Sequence, residues 1–365
     1  MERSEPYILN MGPQHPSTHG VLQVRLRLDG ETILEAKPEL GYLHRGIEKL
    51  MEQRSYVQCV PYTDRLDYVS AMNNNLGFCS AVEALAGLEV PERAGYLRIM
   101  AAELNRIASH LIFIGTLAID LGAATGMIYT FRDREKILDI FDELCGARMS
   151  FHYIRIGGVS HDASSGALQQ IEAFLDYVPQ MLQEYEELLG GNEIFRHRLQ
   201  GTSVLSPQDA LAFGLTGPNA RASGLDYDIR KLDGYGLYDR FEFAVPLGQK
   251  GDNWDRYRVR FEEIQQSAGI VRQALEALPQ GPVMGKVPRV LRPPAGEVYH
   301  RVENPRGELG FYLVSDGSAK PYRVHIRRPS FVNLQALDAM CRGMQLADSV
   351  AAFSTIDPLM GEVDC

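Results

Sequence analysis

The hydrophobic pattern of this chain changes period near residue 64, and that change constrains the fold more than any other feature. Leu22, Val24, Leu26 and Leu28 alternate with Gln23, Arg25, Arg27 and Asp29, the two-residue period of a strand with one buried face. Asp29-Gly30 supplies residues that suit a tight hairpin turn, and Thr32 to Lys37 returns as a second strand. From Asp64 onward the period becomes helical. Asp64 is expected to cap a helix running to about Ala86, and Pro91-Glu92 to open a longer one to about Leu121. Further helices are expected over 133–149, 166–189, 206–215, 255–278 and 334–353, and strands over 306–316 and 322–326. Ser206-Pro207-Gln208-Asp209 has the cap, first-turn proline and acid of a helix start. The expected class is α+β, mainly α. An N-terminal β unit spans 1–50, and a helical core with C-terminal β pieces spans 51–365, in one continuous fold.

A chain of 365 residues can bury a full core. Its formal charge of −10 and pI near 5.5 argue against nucleic acid, because phosphate binding needs a basic surface. No secretory or transit segment is read at the N-terminus. The five cysteines, Cys59, Cys79, Cys145, Cys341 and Cys365, are scattered with no C-x2-C spacing. They therefore supply no local ligand set for zinc or an iron–sulfur cluster and no disulfide framework, and read as idle thiols. No P-loop, dinucleotide fingerprint, H-E-x-x-H or G-x-S-x-G stands in a supporting context, so neither metal nor nucleotide binding by this chain is expected.

Four features could carry chemistry. Gly12-Pro13-Gln14-His15-Pro16-Ser17-Thr18-His19-Gly20 places two imidazoles four residues apart where prolines and glycines forbid a helix. A pair of metal ligands on one helix face is therefore not expected. What remains is a rigid turn that either presents one or two histidines beside a strand or leaves them in solvent. Asp120 interrupts the apolar run Leu111–Ile128. That run is close to the ~18–20 residues of a membrane span. The acid would cost roughly 2.5–3.5 kcal/mol in lipid, so a buried helix and glycine-rich loop are expected instead. Asp120 then needs a cation, a histidine or backbone donors, or else ends the helix in solvent. Tyr68, in Thr63-Asp64-Arg65-Leu66-Asp67-Tyr68, is expected on the first turns of its helix, sharing a face with Arg65. Asn73-Asn74-Asn75 breaks helix propensity mid-helix, which hints at a local task.

Several motifs together resemble the quinone-binding 49-kDa (D) subunit family of respiratory complex I. They are GPQHPSTHG, GYLHRGIEKL, PYTDRLDYVSAMNNN, ELNRIASHL, the GAR-then-RIGGV stretch, LTGPNARASG, NPRGELGFYLVSDG, PYRVHIRRPSFVNLQ and the terminal GEVDC. The resemblance implies the fold of a nickel–iron hydrogenase large subunit, a helical bundle with β additions. Those hydrogenases hold their metal with two C-x2-C pairs. The corresponding regions here, His44–Glu48 and Asp357–Gly361, contain no cysteine, which excludes hydrogenase chemistry on ligand count.

The resemblance also implies that His19 and Tyr68 grip a quinone head group, ubiquinone or menaquinone, and that Asp120 pairs with His19. Arg45 and Arg65 would face the terminal iron–sulfur cluster of a partner subunit. The family usually carries a histidine directly after the Arg-Met of the GAR stretch. This chain has Ser150 there, then Phe151 and His152. His152 is thus the nearest histidine to that place, set two residues along and toward another side of a helix or turn. The family's terminal Arg after GEVD is replaced by Cys365. The implied partners are the small iron–sulfur (B), C, ferredoxin-like (I) and membrane (H) subunits. The implied location is peripheral, on the cytoplasmic side of a bacterial inner membrane, and the implied activity is proton-pumping NADH:quinone oxidoreduction within the complex. Competing readings are an assembly subunit on the same scaffold and a related complex fed by reduced deazaflavin or ferredoxin.

Overall fold

The structure, a computed structural model, describes residues 5–14 and 20–365, so His19 and most of the His-Pro turn lie outside the described residues. The alternating N-terminal segment forms β2 (Gln23–Asp29), flanked antiparallel by β1 (Tyr7–Met11) and β3 (Thr32–Glu39) in the order β1-β2-β3. Its apolar face, Leu22, Val24, Leu26 and Leu28, is buried, as the two-residue period requires. β1, with the sequence Tyr-Ile-Leu-Asn-Met, carries no clear alternation and owes its strand form to pairing with β2.

Helices follow in the order α1 (Ile47–Met51), α2 (Tyr56–Thr63), α3 (Ala71–Ala86), α4 (Glu92–Asp120), α5 (Ala124–Cys145), α6 (Ser165–Tyr185), α7 (Glu193–Leu199), α8 (Pro207–Ala212), α9 (Pro218–Ala222), α10 (Ile229–Leu232) and α11 (Asn253–Glu276). The pair β4 (Ile154–Arg155) and β5 (Gly158–Val159) lies between α5 and α6. After α11 come β6 (Gly296–Asn304), β7 (Gly307–Ser315) and β8 (Arg323–Arg327), an antiparallel sheet in chain order. The chain closes with α12 (Pro329–Asn333), α13 (Leu337–Cys341), α14 (Leu346–Ile356) and α15 (Met360–Val363). α4 is the central rod, packed against α3, α5, α11 and α14. The C-terminal sheet covers α3, where Phe311 meets Phe78 edge-on at 5.7 Å. Gly77 permits this approach, since a Cβ there would stand 2.9 Å from the Phe311 ring.

The sequence expectations fail at three places, each for a local reason. The helix expected over 64–86 is two helices with a turn between them. Asp64 ends α2, and α3 starts only after Ser70. The helix expected over 334–353 is broken by Gly343, at φ 78°. The broken segment instead docks on the edge of β3, where Ile33 N donates to Met344 O at 2.9 Å and Gly343 N to Ile33 O at 2.8 Å. A sheet edge offers backbone partners that an isolated helix prediction ignores. α5 begins at Ala124, well before the expected 133, because Gly126 allows close contact with α4, a Cβ there being 2.8 Å from that of Ala118. The apolar run is split by Gly122, at φ 85°, into the end of α4 and the start of α5. No helix among the described residues is long and apolar enough to cross a membrane.

Candidate functional site

Tyr68 stands on the turn between α2 and α3, so it and Arg65 do not share a helix face. The three asparagines explain the turn. Asn74 Nδ2 donates to Thr63 O at 3.0 Å and to Asp67 O at 2.8 Å, and Asn75 Nδ2 donates to Thr63 Oγ1 at 2.8 Å. Asn73 Nδ2 donates to Ser70 Oγ at 3.0 Å. From α4, Asn105 accepts from Met72 N at 2.9 Å and donates to Val69 O at 3.0 Å. Residues that weaken a helix by seeking nearby backbone groups here add a second bond to the Thr63 and Asp67 carbonyls of the turn, beside those from Leu66 N and Ser70 N. The turn is thus rigid and presents Tyr68, 39% exposed, outward. Its hydroxyl makes no hydrogen bond among the described residues, and burial of the ring raises its pKa above the usual phenol value, against the pull of Arg306 and Arg45.

The C-terminal GEVDC segment lies under the same turn. A Cβ on Gly361 would stand 2.5 Å from Leu66 O and 3.2 Å from the Tyr68 ring, so only glycine fits. Arg45 ties the two segments together, donating to Arg65 O at 2.7 Å and Gly361 O at 2.8 Å. The Asp364 carboxylate accepts from Gly41 N at 2.9 Å and Leu43 N at 2.8 Å, which holds the GYLHR loop. Gly20, the first described residue after the His-Pro turn, is beside Met360, whose Cγ would be 3.6 Å from a Cβ there. Three segments distant in sequence, those of Arg45, Tyr68 and Gly361, therefore meet here, with Gly20 against the neighbouring Met360.

Arg65 and Arg45 line one surface recess with Ile47, Leu50, Pro61 and Tyr62. Arg65 donates to Pro61 O at 2.7 Å and approaches Asp64 Oδ2 at 3.4 Å. The buried Asp64 also receives His152 Nε2 at 2.9 Å. The two-residue displacement does not carry His152 away from Arg65. Left-handed backbone at Ser150 and His152, φ 57° and 48°, turns the imidazole onto the Asp64 carboxylate. His152 and Arg155 line a second recess that shares Pro61 with the first.

Asp120 is the last residue of α4, partly exposed, and accepts a hydrogen bond from Ser354 Oγ of α14. It therefore ends its helix and has a partner from the C-terminal segment. Its expected partner His19 lies outside the described residues. Sequence reasoning missed the groups behind Tyr68, namely Arg306, Asp67, Asp357 and Glu362, which are all buried. Arg306 donates to Asp67 at 2.8 Å and to Asp357 at 3.0 Å. The only signal for Asp67, Arg306 and Glu362 was their place inside TDRLDY, NPRGEL and GEVDC, motifs that carry the family resemblance rather than a charge pattern. Another recess lies between α3, α4 and β6 at Glu83, Arg98 and His300 and holds none of the candidate residues. Among the described residues no group of three or more metal-ligating side chains converges.

The segments that converge on this site belong to a family of respiratory-chain proteins. Residues 120–365 match the family model described as respiratory-chain NADH dehydrogenase, 49 Kd subunit, and the chain belongs to that family. It is 52% identical to the D subunit of NADH-quinone oxidoreductase from Carboxydothermus hydrogenoformans over 365 residues, 100% of both chains. It is 52% identical over 362 residues to the protein of that name in Desulforamulus reducens, covering 99% of each. With the one in Bacillus cereus it shares 49% over 365 residues, again 100% of both.

Proposed function

We propose that this chain binds a quinone head group beside Tyr68 and supports its reduction by electrons from an iron–sulfur cluster held in a neighbouring small subunit. The observation that carries this reading is a phenol held outward by a turn clamped with buried asparagine hydrogen bonds. A quinone carbonyl becomes basic as it gains electrons, and a fixed phenol O–H can donate a hydrogen bond and then a proton to it. A raised phenol pKa keeps that proton in place before reduction. His19 is the proposed second donor and Asp120 its partner, a carboxylate that favours the charged imidazolium.

Arg45 and Arg65, at one recess, are proposed to face the partner's cluster and to ease its reduction through their charge. His152, held on Asp64 beside Arg65, is proposed to stand near the same cluster. The helical core is read as that of a nickel–iron hydrogenase large subunit adapted to this task. The partners are the small iron–sulfur (B), C, ferredoxin-like (I) and membrane (H) subunits. They seat the chain on the cytoplasmic face of a bacterial inner membrane, where quinone reduction drives proton translocation.

Tyr68→Phe tests the reading directly. In the assembled complex it is expected to remove most NADH:quinone reduction while NADH oxidation by an artificial acceptor upstream continues unchanged. Equal loss of both activities, or loss of neither, rejects the head-group role.

A further inference from the structure

Behind Tyr68 a buried cluster carries more acid than base. Arg306 receives Asp67 from the Tyr68 turn and Asp357 from the end of α14, and also donates to Ser109 Oγ at 3.0 Å. Glu362 of α15 is a third carboxylate acting on it. The other charged groups facing the cluster are Arg260 from α11, whose field reaches Asp357, and Arg45, engaged on Gly361 O. Arg328 is engaged on the carbonyls of Val363 and Cys365. The Cys365 thiol is pushed up by burial and stays neutral. Three carboxylates, Asp67, Asp357 and Glu362, thus surround one guanidinium, Arg306, and Arg260 acts on Asp357 but is shared with Glu263, so the cluster holds more carboxylate than guanidinium. A buried charge without a partner costs several kcal/mol unless a proton removes it.

Glu362 is the acid with the weakest support for a charge. Its Oε1 accepts from the backbone N of Ser330 at 2.9 Å, and its Oε2 has no partner among the described residues. Asp67 and Asp357 each take a guanidinium directly. Burial and the nearby Asp67 push the Glu362 carboxyl up to about 7. Two chain links join this acid to the phenol. Gly361, next to Glu362, lies against the Tyr68 ring, and Asp67 precedes Tyr68.

We propose that Glu362, within the Asp67–Arg306–Asp357 cluster, stores one proton that restores the Tyr68 phenol after it has protonated the reduced quinone. The inference rests on the quinone reading above. In one turnover the quinone takes two electrons, derived from NADH through the partner's cluster. One carbonyl oxygen takes the Tyr68 proton and the other a proton from the second donor, giving quinol, a phenolate and a deprotonated second donor that regains its proton from solvent. The Glu362 O–H bond then breaks and the phenol O–H re-forms, the proton passing through an intervening carrier such as water because the two groups are not in direct contact, and the carboxylate recovers a proton from solvent before the next turnover.

The test uses the assembled complex carrying Glu362→Gln, Glu362→Asp or Tyr68→Phe, with a short-chain quinone as acceptor and ferricyanide as the upstream control. In the native complex the quinone rate falls as pH rises past about 7, as the store empties. Glu362→Gln is expected to lower kcat by roughly 100-fold with the quinone KM and the ferricyanide rate unchanged, and to lose that pH limb. Glu362→Asp is expected to recover activity with the limb displaced. A native kcat and an unchanged limb in Glu362→Gln overturn the proposal, as does a fall in the ferricyanide rate equal to the fall in kcat. If Tyr68→Phe is inactive with quinone while Glu362→Gln behaves as native, the store fails and the head-group reading stands. If Tyr68→Phe keeps full quinone activity, the head-group reading itself fails. Should Glu362→Gln not assemble, infrared difference spectra of the native complex decide. Loss of a protonated-carboxyl band on quinone reduction supports the store, and an unchanged carboxyl region overturns it.

Discussion

Asn74→Ala isolates the claim that the asparagine run exists to hold the Tyr68 turn. Asn74 is fully buried and makes three hydrogen bonds, to Thr63 O at 3.0 Å, Asp67 O at 2.8 Å and from Asn304 Nδ2 at 3.1 Å. Truncation removes all three bonds and leaves the Asn304 amide without its partner, while Thr63 O and Asp67 O each keep one turn bond, from Leu66 N at 3.2 Å and Ser70 N at 3.0 Å. At about 1 kcal/mol net per bond, and more where a group is orphaned, the loss is about 3 kcal/mol or above. An unfolding entropy of about 2.1 cal/mol/K per residue over 365 residues converts 3 kcal/mol into a fall in Tm of about 4 °C. Calorimetry on the purified chain reads this. Asn74→Asp keeps the shape, lacks the donors and turns a carboxylate toward two carbonyls, so it should be at least as damaging. Val57→Ala, at a side chain 55% exposed on α2, should stay within about 0.5 kcal/mol. A Tm loss below about 1 °C for Asn74→Ala would refute the clamp.

Two further outcomes follow from the buried charges. Arg306→Met strands Asp67 and Asp357 and should cost about 3–5 kcal/mol, read by chemical denaturation, with part of the loss recovered when Asp67→Asn is added. The Glu362 carboxyl lies at about 7 in the fold against 4.5 as its ordinary value. The folded chain therefore binds this proton more tightly than the unfolded one. Its contribution is complete below about pH 4.5 and is lost as pH rises to about 7, in total about 3 kcal/mol. Denaturation of Glu362→Gln at a series of pH values should show a flatter profile across that window.

Regular periods made the strand pair β2–β3 and the long helices α4, α6 and α11 legible in the sequence. α6 has one buried face, α4 is apolar over most of its surface, and each helix has a conventional start, such as Pro91 before α4. What sequence did not disclose depends on contacts between distant segments. The break at 64–70 is stabilised by side chains of the following helix, and the break at Gly343 by the edge of β3. Within the site, Tyr68, Arg45 and Arg65 were reached through motifs and Asp120 as an acid in an apolar run, and the structure puts the first three around one turn. Asp120 reads differently in three dimensions, because helix α14, far along the chain, brings Ser354 to it. Left-handed backbone at Ser150 and His152 accompanies the contact of His152 with Asp64, which regular helix spacing does not suggest. The Arg306 cluster was missed because charge pairing across 239 residues, as between Asp67 and Arg306, leaves no local pattern.

Photolabelling of the assembled complex with a short-chain azidoquinone, followed by peptide mapping, asks most directly where the head group binds. Label on the 64–70 turn or the 357–365 segment, competed away by excess quinone, is the predicted result. Competable label confined to the recess between Glu83, Arg98 and His300, with the Tyr68 turn unmodified, would contradict it.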